Sequence, residues 1–343
     1  MKILVAPLNW GLGHASRCVP IVQRFLDDGH EVILGGDGES LTLLRRHFPG
    51  LRYVYLAPLH LRYSSGKRQV WAMLCALPRL LLWAYKDHVM LRAVLREEKM
   101  DMVVSDNRFG LYIPHHGENE GDSPVTIYIT HQLHIMLPRG WRWLETFASR
   151  LHARVYTRFN KVWVPDYAEK EKSLAGELSH PGDLRLDYSG FTIQYIGPQS
   201  RLQSAKDVRN ANEMRTVYDA VAVLSGLEPQ RTILERELIE RYKDTEENVL
   251  IVQGLLHRPN TRIRRGKITI VPHLKDDELV QVLTNARHII ARSGYSTIMD
   301  LAALSLLAPS TGKQGGVTIE FIPTPGQPEQ EYLAFWAKKC MFK

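Results

Sequence analysis

The stretch Ile3-Leu4-Val5-Ala6-Pro7-Leu8-Asn9-Trp10-Gly11-Leu12-Gly13-His14-Ala15-Ser16-Arg17 decides the fold. An apolar run meets a loop with two glycines, and a helical pattern follows. This reads as strand, tight turn, helix start. The same plan returns near the other end, where His288-Ile289-Ile290-Ala291 meets Arg292-Ser293-Gly294-Tyr295-Ser296-Thr297. A further loop follows at Pro323-Thr324-Pro325-Gly326-Gln327-Pro328-Glu329-Gln330-Glu331. Helix N-termini offer free N–H groups and the positive end of a dipole, so such turns suit phosphate and other anions. Two of them in two α/β halves predict a ligand held in a cleft between domains.

Working outward, strand-like runs alternate with helix-period segments, the pattern of a parallel α/β architecture. In the first half, strands are expected at about 2–6, 31–34, 53–56, 102–105, 125–130 and 161–164. Helices are expected at about 15–28, up to 46, 67–98 and 141–158. Segment 168–212 breaks the rhythm, and the domain boundary is placed near Gly197. The alternation then resumes, with strands at about 220–224, 249–253, 268–271, 288–291 and 317–322. Two doubly wound, Rossmann-like domains facing a central cleft are the simplest assembly: an N-terminal domain over 1–197 and a C-terminal one over 198–343. No short-period internal repeat is present.

The 343 residues are long for one core, which also favours two domains. A formal net charge of +7 favours an acidic partner. The charge is spread along the chain and no nucleic-acid motif accompanies it, so no nucleic acid is expected. The three cysteines, Cys18, Cys75 and Cys340, have neither metal-ligand nor disulfide-framework spacing and point to a reducing compartment such as the cytoplasm. No run is long and apolar enough to span a membrane.

These motifs resemble the glycosyltransferases of the two-Rossmann-domain (GT-B) type. The chain is most similar to the family 28 group, which contains the GlcNAc transferase of the lipid-linked peptidoglycan precursor. The resemblance is strongest at Arg292-Ser293-Gly294-Tyr295-Ser296-Thr297-Ile298-Met299-Asp300, followed by Pro323 to Gln330, which is similar to the family's donor-binding signature. The loops Gly11-Leu12-Gly13-His14 and Ser225-Gly226-Leu227-Glu228-Pro229-Gln230-Arg231 fall at the expected places.

The resemblance implies a nucleotide-sugar donor on the C-terminal domain. Ser293 and Gly294, with Ser296 and Thr297 beyond them, would bring backbone N–H groups to the donor diphosphate, where a Cβ would block the approach. Asp300 matches an acidic position that holds ribose hydroxyls. Glu329 and Gln330 match an acid–amide pair that hydrogen-bonds the donor sugar. Ser225, Gly226 and Arg231 would form a second phosphate loop, with Arg231 neutralising charge. The loop at His273 would read the base through its backbone. On the N-terminal side, Gly11 and Gly13 shape the loop, and His14 matches a general base for the acceptor hydroxyl. Asp106 would orient it, and His131 is a second base candidate. No Asp-X-Asp signature is present, so no metal and no cofactor are expected, only the UDP-sugar substrate.

Each residue also has a plainer reading. His14 could cap or pack its helix, Asp106 could be a turn residue, Arg231 a solvated side chain and Glu329 a first-turn carboxylate favoured by the helix dipole. Segment 62–96 interleaves Arg62, Lys67, Arg68, Arg79, Lys86, Arg92 and Arg96 with Trp71, Leu74, Leu77, Leu80, Leu81, Leu82, Trp83 and Tyr85. It either docks on an anionic membrane, where a lipid-linked acceptor would be found, or buries those aromatics in a helix pair. Trp141 and Trp143 raise the same question.

The chain departs from the family pattern in two places. Ser305–Val317 is longer than expected, and the sequence ends at Lys343, soon after the donor loop, as a C-terminally truncated member would. The expected activity is inverting, metal-independent transfer of a GlcNAc-type sugar from a UDP-sugar to an acceptor hydroxyl. A UDP-sugar epimerase or hydrolase and a non-catalytic nucleotide-sugar-binding protein remain open alternatives.

Overall fold

The computed structural model describes residues 1–59, 69–113, 123–181, 192–206, 218–226, 228–307 and 317–340, with the side chains of 69–76 and 205–206 excepted. Arg62, Lys67, Arg68 and the side chains of Trp71 and Leu74, most of the 305–317 insertion, and Lys343 therefore lie outside the described residues. The chain divides into two compact units, Met1–Trp10 with His14–Gln199, and Gly11–Gly13 with Ser200–Lys343.

The first unit runs β1 (Lys2–Pro7), α1 (Gly13–Asp27), β2 (Glu31–Gly36), α2 (Gly38–His47), β3 (Tyr53–Tyr55), α3 (Gln69–Glu97), β4 (Met102–Asp106), β5 (Val125–Ile129), α4 (Glu145–Tyr156), β6 (Lys161–Val164) and β7 (Thr192–Tyr195). Among the described residues these strands form one sheet in the order β3-β2-β1-β4-β5-β6-β7, and every pairing is parallel. Parallel strands covered on both faces read as continuous apolar runs, and Ile3, Leu4, Val5 and Ala6 are fully buried.

Strand order reverses between β1 and β4, where Pro7 registers with Asp106. Right-handed crossovers place α3 and α4 on one face of the sheet. They share a core there: Leu91 of α3 and Ala153 and Tyr156 of α4 pack with Leu4, Ala6, Ile33, Val103 and Tyr128.

Two expectations change in this unit. The irregular segment 168–212 contains a strand, β7, paired in parallel with β6. Segment 69–97 is one continuous helix, not a helix pair, and it sorts its aromatics: Trp83 is buried, while Tyr85 is exposed.

The second unit runs α5 (Leu202–Lys206), β8 (Ala220–Val223), α6 (Gln230–Tyr242), β9 (Val249–Val252), β10 (Ile263–Arg265), β11 (Ile268–Val271), α7 (Asp276–Asn285), β12 (His288–Ala291), α8 (Tyr295–Ala303), β13 (Thr318–Phe321) and α9 (Pro328–Cys340). Its sheet has the order β10-β11-β9-β8-β12-β13, with only β10 antiparallel among the described strands. Here the order reverses between β8 and β12, whose ends Val223 and Ala291 are in register. The core is built from Ala222, Leu234, Leu238, Ile251 and Ile290.

Candidate functional site

In each unit the conspicuous loops leave the C-terminal ends of the two strands that flank the reversal. In open α/β sheets this is where ligands bind. After β1, Gly11 takes φ +77°, a left-handed turn that glycine makes without steric cost, and α1 begins at Gly13. His14 thus lies in the first turn of α1, and Arg17 is one turn further on the same helix face.

Both residues converge on Asp106, the last residue of β4, which is fully buried. His14 Nδ1 lies 2.7 Å from Asp106 Oδ1. The Arg17 guanidinium donates through Nε to Oδ2 and through Nη2 to Oδ1 of the same carboxylate. Its Nη1 lies 3.2 Å from Nδ1 of His131, which follows β5 and is buried. His14, with a side chain 18% exposed, is the member of this group most open to solvent. Burial alone would raise the Asp106 pKa, but the charge of Arg17 and the contact with His14 outweigh it and hold it at about 2. Near neutral pH Asp106 is therefore an anion that only accepts hydrogen bonds. Burial and the neighbouring Asp106 push the Cys18 thiol up, so Cys18 stays a neutral donor to Oδ2 at 3.7 Å.

A second buried group braces the same sheet edge. Arg108, fully buried, donates to both oxygens of Asp87 on α3, to Asp37 Oδ1 at 2.8 Å and to the Ala57 carbonyl at 2.6 Å. Asp37 in turn accepts from Asn9 Nδ2 at 3.0 Å, which pins the loop between β1 and α1. Neither Arg17 nor Arg108 stood out in the sequence, because an arginine in a helix turn or strand-end loop has the same letter whether it is solvated or caged.

In the second unit, Ser225 and Gly226 follow β8, and Gly226 takes φ +94°. Ser293 and Gly294 follow β12, and Gly294 is the N-cap of α8, with Ser296 and Thr297 in its first turn. Ser293 Oγ donates to the Gln330 carbonyl at 2.7 Å. The Gln330 side chain accepts from the Thr324 N–H at 2.8 Å and donates to Gln327 Oε1 at 2.6 Å. Arg292 reaches the carbonyls of Ile322, Pro323 and Gln230 at 3.0–3.1 Å. The structure thus joins Ser293, Gly294 and Gln330 into one braced loop pair, with Glu329 beside Gln330 in the first turn of α9.

Other expected site residues are placed differently. Arg231 is not a free cation: it is buried and paired with Glu228 and with Glu235, the latter at 3.1 Å. A guanidinium so neutralised adds little charge for a phosphate. His273 Nδ1 donates to the Leu255 carbonyl at 3.2 Å, which anchors the loop after β11. Asp300, in α8, accepts from Ser200 Oγ at 2.6 Å. Burial pushes its pKa up to about 6, against the opposing pull of Arg201 and of the Ser200 hydroxyl. Arg201 itself is tied to Asp276 at 2.8 Å.

Two Rossmann-like α/β units, each with its loops at the strand-order reversal, define the GT-B fold. No protein-family model matches the chain. It is 26% identical over 351 residues to an uncharacterised glycosyltransferase of Methanosarcina acetivorans, covering 96% of this chain and 82% of that protein. A second uncharacterised glycosyltransferase, from Methanosarcina mazei, is 23% identical over 346 residues, with the same coverage of 96% and 82%.

Among solved structures, the glycotransferase of kitacinnamycin matches with a TM-score of 0.55 at 13% identity, over 97% of this chain and 83% of that one. UGT2 of Phytolacca americana, complexed with UDP-2fluoro-glucose and pterostilbene, matches at TM-score 0.54 and 12% identity, over 98% and 82%. The spinosyn rhamnosyltransferase SpnG, complexed with thymidine diphosphate, matches at TM-score 0.51 and 13% identity, over 97% and 84%.

Proposed function

We propose that this chain is a glycosyltransferase that moves a GlcNAc-type sugar from a UDP-sugar to an acceptor hydroxyl with inversion and without a metal. The observation that carries this reading is the His14–Asp106 pair at the strand-order reversal of the first unit, 2.7 Å apart with Asp106 held ionised. An acceptor oxygen attacks the anomeric carbon, its proton passes to His14 Nε2, and the anomeric C–O bond to the diphosphate breaks. UDP leaves with the electron pair. Asp106 stabilises the imidazolium as it forms. Attack in one in-line step gives inversion.

On the second unit, the N–H groups around Ser293 and Gly294, at the start of α8, receive the diphosphate charge. Asp300 already accepts one hydroxyl, from Ser200, and ribose hydroxyls offer the same chemistry. Glu329 and Gln330 face the sugar in this reading, on a loop that Ser293 and Thr324 brace. The names of the two Methanosarcina relatives support transfer, and the solved complexes with UDP-2fluoro-glucose and thymidine diphosphate support a nucleoside-diphosphate donor.

The acceptor in this proposal is lipid-linked and is met at an anionic membrane surface. Among the described residues, no helix is long and apolar enough to cross a membrane, so the contact would be peripheral. Exposed Leu77, Leu81, Tyr85 and Val89 recur every four residues along α3, and Trp143, in the turn before α4, is followed at the same spacing by Phe147 and Leu151 on α4. Exposed Arg79, Lys86, Arg92 and Arg96 flank the first row, and Arg142, Arg150 and Arg154 the second. That combination suits an anionic bilayer.

The test is calorimetry with UDP and UDP-GlcNAc, followed by UDP release in the presence of hydroxyl acceptors and a panel of other nucleotide sugars. Micromolar UDP binding that weakens in Asp300→Ala, with loss of sugar preference in Glu329→Ala, is expected. If no nucleotide or nucleotide sugar binds, the proposal is wrong.

A further inference from the structure

The run Arg262-Ile263-Arg264-Arg265-Gly266-Lys267 puts four cations and no acid into six residues. It forms β10 and the turn into β11, and every residue in it is exposed. Strand β10 is the outermost of its sheet, and its outer edge pairs with no described strand. Ile263 registers with Ile270, and Arg265 with Ile268. Residues opposite each other in a ladder share one face of the sheet. Ile268 and Ile270 are buried there, whereas Ile263 is 51% exposed and overhangs the core that its partner enters. Arg264 points to the other face. Guanidinium groups thus stand on both sides of an open strand edge, with one half-exposed apolar side chain among them.

This charge is not neutralised within the protein. Among the described residues, the one acid within ion-pair reach of the run is Glu246, 3.7 Å from Lys267 and itself 97% exposed. Arg264 Nε donates to a neutral acceptor, the Gly266 carbonyl, at 3.2 Å. Charges on an edge strand discourage pairing with another chain, but acids or a mixture of signs would do that equally. A single sign around an apolar side chain fits a surface that is anionic outside and apolar beneath. Guanidinium groups take phosphate oxygens two at a time. Single-stranded nucleic acid also offers phosphates, but its binding sites stack bases on aromatic rings, and residues 254–267 contain no Trp, Tyr or Phe.

We propose that the β10–β11 hairpin of the second unit is a docking surface for an anionic lipid bilayer, with Arg262, Arg264, Arg265 and Lys267 on the headgroup phosphates and Ile263 entering between them. This contact is separate from the rows on α3 and α4 and is carried by other residues. It stands without the sugar-transfer reading.

The experiment is sedimentation of the full chain with vesicles of equal parts phosphatidylglycerol and phosphatidylcholine, over a series of salt concentrations. One variant, Arg262→Gln with Arg264→Gln and Arg265→Gln, removes three charges from the hairpin. A second replaces the same three residues by Lys and keeps the charge. A third, Lys161→Gln with Lys170→Gln and Lys172→Gln, removes three exposed charges from the first unit. The glutamine hairpin variant is expected to bind at least about tenfold more weakly than the wild type, with a shallower salt dependence. The lysine variant should bind more tightly than the glutamine one, and the first-unit variant should lose much less.

The proposal is overturned if the wild type does not bind these vesicles, if the glutamine hairpin variant binds as the wild type does, or if the first-unit variant loses as much. Tighter binding of the wild type to polyuridine RNA than to the vesicles at the same salt overturns it too, and gives the surface to nucleic acid. If nucleotide sugars fail to bind while the hairpin variants behave as stated, the glycosyltransferase reading falls and the hairpin surface stands.

Discussion

Arg108 and Asp87 form a two-point ion pair, Nε to Oδ2 at 2.9 Å and Nη2 to Oδ1 at 2.7 Å, with neither side chain exposed. Burial pushes the Asp87 carboxyl up against the pull of this guanidinium, so the pair endures by geometry and not by solvent. It joins α3 to the sheet edge that carries Asp106 two residues earlier. Removing one partner would strand the other.

Asp87→Ala is therefore expected to destabilise the protein by about 3–5 kcal/mol, the range for an uncompensated buried charge. Urea unfolding measures it. A loss below about 1 kcal/mol would mean that Asp37 and the Ala57 carbonyl satisfy Arg108 by themselves.

Asp300 makes stability depend on pH in the opposite sense to most carboxylates. Its folded pKa, about 6, lies above the unfolded value of about 3.9. The folded state thus binds more protons between these values, and the group's contribution to stability falls as pH rises through that window. Asp300→Asn keeps an acceptor for Ser200 but cannot ionise. It should raise the unfolding free energy at pH 7 by on the order of 2–3 kcal/mol, read from urea unfolding, and change it little at pH near 4. Equal effects at both pH values would show that burial does not raise the Asp300 pKa.

Asp106 titrates the other way. Its folded pKa of about 2 lies below the unfolded value of about 3.9, so its contribution is complete above pH about 4 and is lost as pH falls towards about 2. The stability difference between wild type and Asp106→Asn should shrink by about 2 kcal/mol across that interval. Acid unfolding followed by circular dichroism reads it, and a pH-independent difference would show that Arg17 does not hold the carboxylate down.

The strands that flank each reversal were legible because they are buried on both faces and so are apolar without interruption, as Ile3-Leu4-Val5-Ala6 and Ile289-Ile290-Ala291 are. Strand β7 was not, because Thr192-Ile193-Gln194-Tyr195 lies at a sheet edge and only alternates. His14 was visible as a histidine in a glycine loop. Arg17 needed Asp106, 89 residues away, before its place could be read. The letters of α3 showed aromatics among cations, but only packing separated buried Trp83, whose ring N–H donates to the Ala57 carbonyl, from exposed Tyr85. Arg231 misled for a related reason: Glu228, just before its helix, and Glu235, one turn further along it, neutralise it.

His14→Ala should lower kcat by about 10²–10⁴-fold, the usual contribution of a positioned base. The affinity for UDP should stay as in the wild type, since His14 belongs to the first unit and the proposed donor loops to the second. Steady-state kinetics with calorimetry on the same preparation separates these effects. An unchanged kcat would remove His14 as the base.

The exposed rows on α3 and α4 yield a prediction about place and not about chemistry. Trp143 is 76% exposed and Phe147 62%, a costly display of apolar surface unless something covers it. Basic side chains beside them each add about 1 kcal/mol of attraction near an anionic leaflet, and salt screens that term. The protein should sediment with vesicles containing phosphatidylglycerol and far less with vesicles of phosphatidylcholine alone, with binding that weakens as salt is raised. The double variant Trp143→Ser, Phe147→Ser should lower vesicle affinity by at least about tenfold, because the lost apolar burial exceeds 1.4 kcal/mol. Its melting temperature should not fall, since neither side chain is in the core. Equal binding of both vesicle types, or of wild type and variant, would remove the membrane from the proposed function and leave the lipid-linked acceptor without support.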